Sequence, residues 1–207
     1  MAVPAPVIAS VEHALADLGA VRAAIGVVSD RELLDAVESL LALQRQVNGT
    51  VSVALAAAEA RNVARRTRGT PLESVLTRSG QETARHVRNQ VFQAGILAGR
   101  PKVHDAAAAG RITLAQAQAI REVVDGLPAR LDAGQKEQAE ELMLRAADRC
   151  PADVLRTMAD AVLDQVAPET KGTTEQRQAK LDARDARARQ RRSLRFGITT
   201  DGSIEDR

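Results

Sequence analysis

The stretch from Gly99 to Ile120 constrains the fold more than any other, because two helix signals flank one tight break. Val103 to Ala109 is an alanine-rich helical run. Gly110 ends this run, since glycine adopts the left-handed conformation beyond a helix end without steric cost. Thr113 then caps a second helix by accepting a hydrogen bond from a free backbone N–H. The apolar face of this second helix consists of Leu114, Ala117, Ile120 and Val124, at three- and four-residue spacing. The stretch therefore predicts two helices joined by a tight turn.

A heptad-like apolar stripe predicts the longest helix of the chain. Ser29 and Glu32 form a capping box at its start, and the helical pattern continues to about Arg66. The stripe runs through Leu33, Val37, Leu40, Gln44, Val47, Val51, Ala54 and Ala58. Asn48-Gly49 could divide the helix, but the stripe keeps its phase across them, which favours one long helix. We expect this helix to pair with a neighbour or with a second copy, through Leu33, Val37, Leu40, Val47 and Val51.

Five further helices are expected from caps, breaks and periodicity. They cover Val7–Ile25, a short segment from Thr70 to about Ser79, a segment opened by Ser79 and Glu82 that reaches Ala98, Ala133–Asp148, and Pro151–Val166.

The chain changes character at Glu169, where the apolar periodicity stops. Residues 174–192 are almost wholly polar and form a solvated helix or a disordered tract until something binds them. Residues 194–198 are typical of a strand, with a turn at Asp201-Gly202, and a lone strand needs a partner from elsewhere.

These signals divide the chain into three regions. Residues 1–28 are an N-terminal helix, residues 29–168 a helical domain, and residues 169–207 a basic extension that is helical or disordered. The expected fold is all-α, a multi-helix bundle with one long N-terminal helix and a basic C-terminal extension ending in a single short strand.

Composition excludes several classes of protein. Hydrophobic residues make up 44% of the chain, with two Phe and neither Trp nor Tyr, so we expect closely packed helices rather than a large ligand pocket. The single Cys excludes internal disulfides and multi-cysteine metal sites, and no cofactor is expected. Neither a signal peptide nor a membrane-spanning run is recognisable, which predicts a cytoplasmic protein.

Charge is distributed in alternating blocks, a pattern expected when one surface meets a polyanion or when the blocks meet each other. Residues 1–60 carry 3 Lys/Arg against 7 Asp/Glu, whereas residues 61–111 carry 10 against 3 and residues 171–195 carry 9 against 3. Arginine binds phosphate through charge-assisted, bidentate hydrogen bonds, so these blocks predict contacts to the backbone of duplex DNA. The candidate residues are Arg61, Arg65, Arg66, Arg68, Arg85, Arg88, Arg184, Arg187, Arg189, Arg191 and Arg192. The alternative is a set of solvated helix ends.

Three other signals favour scaffold roles. The helices around Gly110 also have the spacing of a helix-turn-helix, but Arg111 and Gln116 stand where apolar residues usually pack that motif. Cys150 lies at a helix start without a recognisable base beside it. His86 and His104 lack metal-ligand spacing, so neutral side chains are the simpler interpretation. No catalytic residue and no metal ligand is expected.

Several short motifs together resemble the actinobacterial 13E12 repeat family, whose N-terminal helical region is known as domain of unknown function 222. The matching residues are 71–76, 82–87, Pro101, 105–112 with its alanine run followed by Gly-Arg-Ile-Thr, 115–120, 141–147, 150–155, 192–194 and Asp201-Gly202. The resemblance covers roughly residues 30–204.

The resemblance implies an association with DNA, because that helical region commonly precedes an HNH nuclease module. The Cys and His residues of such a module have no counterparts in this sequence. The expected function is therefore a DNA-associated helical domain without its own catalytic module. Two alternatives stay open: the N-terminal part of a truncated or split HNH endonuclease, and a helical homo-oligomerisation scaffold that does not bind nucleic acid.

Overall fold

In a computed structural model of the chain, the described residues are 6–79, 82–168, 196–198 and 204–206. The helices in these ranges are α1 (Pro6–Ala24), α2 (Asp30–Ala60), α3 (Val63–Arg68), α4 (Leu72–Ser79), α5 (Ala84–Ala98), α6 (Pro101–Ala108), α7 (Leu114–Asp125), α8 (Ala133–Ala147), α9 (Ala152–Leu155) and α10 (Ala159–Val166). The strands are β1 (Phe196–Ile198) and β2 (Ile204–Asp206). The helices confirm the prediction of an all-α fold.

The larger apolar core lies among α6 to α10 and the end of α5. At its centre Val103, Ala117 and Ile120 are fully buried. They come from the helix pair predicted around Gly110, which adopts the left-handed conformation with a φ of 71°. Thr113 caps α7 as predicted, since its hydroxyl accepts the N–H of Gln116 at 3.1 Å.

The second half of α2 packs across α5 and α6, burying Gly49, Ser52 and Ala56. Gly49 lies inside this helix and does not divide it. The predicted continuation to Arg66 is wrong, because α2 ends at Ala60 and Asn62 takes a left-handed φ of 49°. Asparagine tolerates this conformation better than most residues. The bend separates α3 from α2.

Two other helix boundaries differ from the sequence prediction. The helix α5 begins at Ala84 with Thr83 as its cap, not at Ser79, and residues 80–81 lie outside the described part of the chain. The predicted helix from Pro151 to Val166 is divided into α9 and α10. The amide of Thr157 bonds the carbonyl of Val154 at 2.9 Å, a tighter pattern than that of an α-helix, and the chain changes direction there.

The prediction of a lone C-terminal strand is corrected by the pairing of β1 with β2. The two strands are antiparallel, and Ile198 lies opposite Ile204. Residues 204–206 read Ile-Glu-Asp, which carries no strand signal, so the partner strand was not recognised. The predicted turn at Asp201-Gly202 lies outside the described residues.

Among the described helices, none combines the length and the apolar character that crossing a membrane requires.

Candidate nucleic-acid interface

A second, smaller core holds α3, α4, α5 and the end of α2 together. Its buried residues are Ala64, Leu72, Val87 and Val91, and Leu55, Ala58, Val75 and Leu76 pack against it. Each of the helices α3, α4 and α5 thus turns one apolar side inward. Their polar side chains lie around the outside of this core, where the basic block of the sequence is concentrated.

The helix α3 presents its arginines to solvent, because only one of its residues is buried in the smaller core. Ala64 is its one buried residue, whereas Arg65, Arg66 and Arg68 are exposed. Arg61 is exposed as well, at the end of α2. The sequence-predicted residues of this block therefore lie together on one short segment that follows the bend at Asn62.

Two more predicted arginines stand on the first turns of α5. Arg85 and Arg88 are exposed, while Val87 between them is buried. Thr83 fixes the start of this helix, since its hydroxyl accepts the N–H of His86 at 3.2 Å. The two guanidinium groups line an open cavity of about 580 Å³, whose described lining also includes Thr83, His86, Asn89 and Phe92. Phe92 is 63% exposed, an uncommon state for a large aromatic side chain.

Arg78 belongs to the same surface and was not recognised from the sequence. It lines an open groove of about 230 Å³ together with Arg68, Thr70 and Val75. Gly69 has a φ of 67° and reverses the chain between α3 and α4, which brings Arg68 and Arg78 to one groove. A lone arginine in the last turn of a predicted helix gives little indication of such a neighbour.

The seven exposed arginines around the smaller core share one electrostatic property. They are Arg61, Arg65, Arg66, Arg68, Arg78, Arg85 and Arg88, hereafter the arginine cluster. In the described part of the chain, none of them forms an ion pair with a carboxylate.

Several cations beside the larger core are paired instead. Arg100 donates to the carboxylate of Glu140 at 2.7 Å, and Lys102 donates to Glu137 at 2.5 Å. The arginine cluster therefore keeps its charge available for an external anion.

The predicted arginines of the extension lie outside the described residues; they are Arg184, Arg187, Arg189, Arg191 and Arg192.

The helix α7 does not have the surface of a DNA-reading helix. Its exposed residues are Ala115, Glu122 and Asp125, of which two are acidic. Gln116, at the position where a helix-turn-helix packs an apolar residue, donates to the carbonyls of Ala147 and Cys150 at 2.7 and 2.9 Å. These bonds tie the start of α7 to the end of α8, as in a scaffold.

His104, His86 and Cys150 lie in three different surroundings. His104 is buried with its Nε2 3.2 Å from the hydroxyl of Ser52, and burial lowers the pKa of its imidazole. His86 is exposed beside Glu82, and Cys150 is half-buried ahead of α9. Within the described ranges, no three His, Cys, Asp or Glu residues are grouped so that they could hold a metal ion.

Comparisons with models of protein families, with curated proteins and with solved structures find no match for this chain. The resemblance to the 13E12 repeat family therefore stays a prediction from short motifs.

Proposed function

We propose that this chain is a DNA-associated helical domain that binds the phosphate backbone of duplex DNA through the arginine cluster. The observation that carries the proposal is the presence, around one small core, of seven exposed arginines that have no carboxylate partner among the described residues. Such guanidinium groups make strong, bidentate bonds to phosphate oxygens and release counterions from DNA. The resemblance to the 13E12 repeat family points in the same direction, and a cytoplasmic location belongs to the same proposal.

Binding of this kind positions a protein on DNA without selecting a sequence. Arg85 and Arg88 lie in the first turns of α5, where the helix dipole also favours an anion. The one basic side chain of α7, Arg121, is largely buried and lies 3.9 Å from Glu122 and 3.8 Å from Asp125, so it is not free to enter a groove. We therefore expect affinity that depends on salt and hardly on base sequence.

The test measures the affinity of the full chain for a short duplex by fluorescence anisotropy, between about 50 and 200 mM salt. The double variant Arg65→Gln, Arg85→Gln should weaken binding and reduce the slope of log affinity against log salt by about 2, because each phosphate contact contributes about 0.9. A matched double variant, Arg130→Gln with Arg149→Gln, removes two exposed arginines away from the cluster and should leave the slope unchanged. Weak binding by the unmodified chain that ignores salt would contradict the proposal.

The contribution of the extension is measured separately in the same assay. Arg189→Gln with Arg191→Gln, in the full chain, reports whether the tail adds phosphate contacts of its own. A further loss of slope when this pair is combined with the cluster pair would show that both basic blocks contact DNA.

A second candidate function is self-association, and the exposed aliphatic residues of α1 and α2 favour it. Nine large aliphatic residues between Val7 and Val28 and eight between Leu33 and Val53 are exposed, and α1 buries none of its residues. Of the predicted contact residues, Leu33, Val37, Val47 and Val51 are exposed and Leu40 is half-buried. An isolated helix is only marginally stable in water, so α1 needs a partner helix to stabilise it.

We assign that partner to a second copy of the chain because of the apolar area available. Full burial of one aliphatic side chain removes roughly 60–120 Å² from water, so half-exposed residues in this number supply roughly the 800 Å² per partner of a stable interface. Sedimentation equilibrium should show a dimer or larger species. Leu34→Glu with Leu41→Glu should dissociate it, whereas Val154→Glu, at a 42% exposed site outside this surface, should not. A monomeric unmodified chain would contradict self-association.

A further inference from the structure

A small cleft lies between α2, α5 and α7. Its volume is about 120 Å³. Its floor is apolar, because Ala94 and Leu97 are buried there. Its polar lining consists of Asn48, Ser52, Asn89, Gln90, Gln93 and Gln118.

Five of these six polar residues are carboxamides, and this composition indicates the ligand chemistry. Each carboxamide offers both a donor and an acceptor, and no charged side chain lines the cleft in the described part of the chain. None of the five makes a side-chain hydrogen bond to another described residue. An ionic ligand would find no counter-charge here. A flat, neutral heterocycle with donors and acceptors along its edge satisfies both the apolar floor and the amide rim.

The cleft shares lining residues with two open cavities that contain arginines. Asn89 lines both this cleft and the open cavity that holds Arg85, Arg88 and Phe92. At the other end, Asn48 is shared with a further open cavity that contains Arg45. A strand lying along α5 thus meets guanidinium groups at its phosphates and carboxamides at a base.

We propose that the carboxamide cleft holds one unpaired nucleobase of a DNA strand whose backbone contacts Arg85 and Arg88. This inference rests on the proposed function and adds a site for one base to it. The volume of the cleft is well below the roughly 300 Å³ at which ordinary ligand pockets begin, so a single base enters without its sugar. Exposed Phe92 offers a stacking surface to the neighbouring base. Carboxamides bond the N6 and N7 edge of adenine in bidentate fashion, which makes adenine the preferred base.

The test compares three duplexes of the same sequence with the full chain: one fully paired, one with an unpaired adenine, and one with an abasic residue in place of that adenine. The unpaired adenine should strengthen binding about tenfold over the other two. Gln93→Leu with Gln118→Leu should abolish this preference and leave affinity for the paired duplex unchanged. Gln138→Leu, an exposed glutamine on α8, is the matched control and should keep the preference.

A second variant covers the case in which the double substitution perturbs folding. Asn89→Ala replaces an exposed side chain and should reduce the preference for adenine while the circular dichroism spectrum and melting temperature stay unchanged. Equal affinity for the adenine and abasic duplexes would overturn the cleft assignment alone, provided that salt-dependent duplex binding persists. Loss of all salt-dependent binding would instead overturn the proposed function.

Discussion

Gly49 of α2 and Ala107 of α6 touch through their backbones. A Cβ placed on Gly49 would lie 2.0 Å from the carbonyl oxygen of Ala107, far inside the contact distance of real side chains. Gly110, just beyond α6, makes a tight but less severe approach to α2, since a Cβ placed on it would lie 3.1 Å from the Cβ of Gln46. Small residues on both helices let them approach this closely, and Val103, on the same helix as Ala107, is fully buried in the larger core.

Gly49→Ala should destabilise the fold because the obstacle is backbone rather than a flexible side chain. Overpacking of this kind costs roughly 1–3 kcal/mol, and the direct clash places this site at the upper end. Urea denaturation followed by circular dichroism gives the free energy of unfolding. Gly95→Ala is the control, since Gly95 lies within α5 with nothing within 4 Å of its built Cβ. The control should gain about 0.5–1 kcal/mol. A Gly49→Ala variant as stable as the unmodified chain would show that α2 and α6 are not in backbone contact.

Local signals were readable from the sequence, and long-range ones were not. Thr113 and Gly110 act within a few residues of themselves, so their capping and turn roles followed from residue type and spacing. The need for glycine at position 49 depends on Ala107, far along the chain, and no periodicity reveals it. The bend at Asn62 was missed for a related reason, because the apolar stripe continues in phase through the residues before it.

The same limit applies to the candidate interface. The basic block was visible as a composition bias, and its residues Arg65 and Arg85 are exposed in the structure. Their arrangement around one small core depends on the packing of Val87 and Val91 against Ala64 and Leu72, which a single sequence does not show.

Gln116→Leu should destabilise the fold more than Thr113→Ala, which removes the N-cap of α7. The side chain of Gln116 accepts the N–H of Thr113 at 2.8 Å and donates to two carbonyls, 31 and 34 residues further along the chain. Leucine fills a similar volume but leaves these groups unpaired, at a cost of about 2 kcal/mol or more. Thr113→Ala should cost about 1 kcal/mol.

Thermal denaturation of both variants beside Gln138→Leu, an exposed control on α8, measures the difference. If Gln116→Leu costs no more than that control, its interhelical hydrogen bonds do not stabilise the fold.

His104 should make folding stability depend on pH between neutrality and mild acid. Burial lowers the pKa of this imidazole below its ordinary value of 6.5, and the Asp105 carboxylate offsets part of that effect. The unfolded chain therefore binds the proton more readily than the folded chain. The contribution to stability is fully present above pH 6.5 and is lost as the pH falls through the lower pKa of the folded state.

His104→Gln tests this, because glutamine still bonds the Ser52 hydroxyl but does not titrate. The free energy of unfolding, measured by urea titration at several pH values from about 7.5 to 5.5, should fall less steeply for this variant than for the unmodified chain. His13→Gln removes a histidine whose side chain is 82% exposed and should reproduce the unmodified slope. Parallel curves for all three proteins would rule out a role for His104.

The chain by itself should cleave no DNA. A metal-dependent nuclease needs carboxylate or imidazole ligands aimed at one divalent ion and a base to activate water. Glu137 and Glu141, four residues apart on α8, are the two carboxylates that most resemble a pair of metal ligands. The Nζ of Lys102 lies between them, at 2.5 Å from Glu137 and 2.9 Å from Glu141, and its hydrogen bond lowers the pKa of Glu141. The ammonium group thus occupies the position that a metal ion would take between the two carboxylates. Incubation of the purified chain with supercoiled plasmid and Mg²⁺, Mn²⁺ or Zn²⁺ should leave the plasmid intact. Metal-dependent nicking that disappears in a Glu137→Ala, Glu141→Ala double variant would contradict this expectation and assign catalysis to that pair.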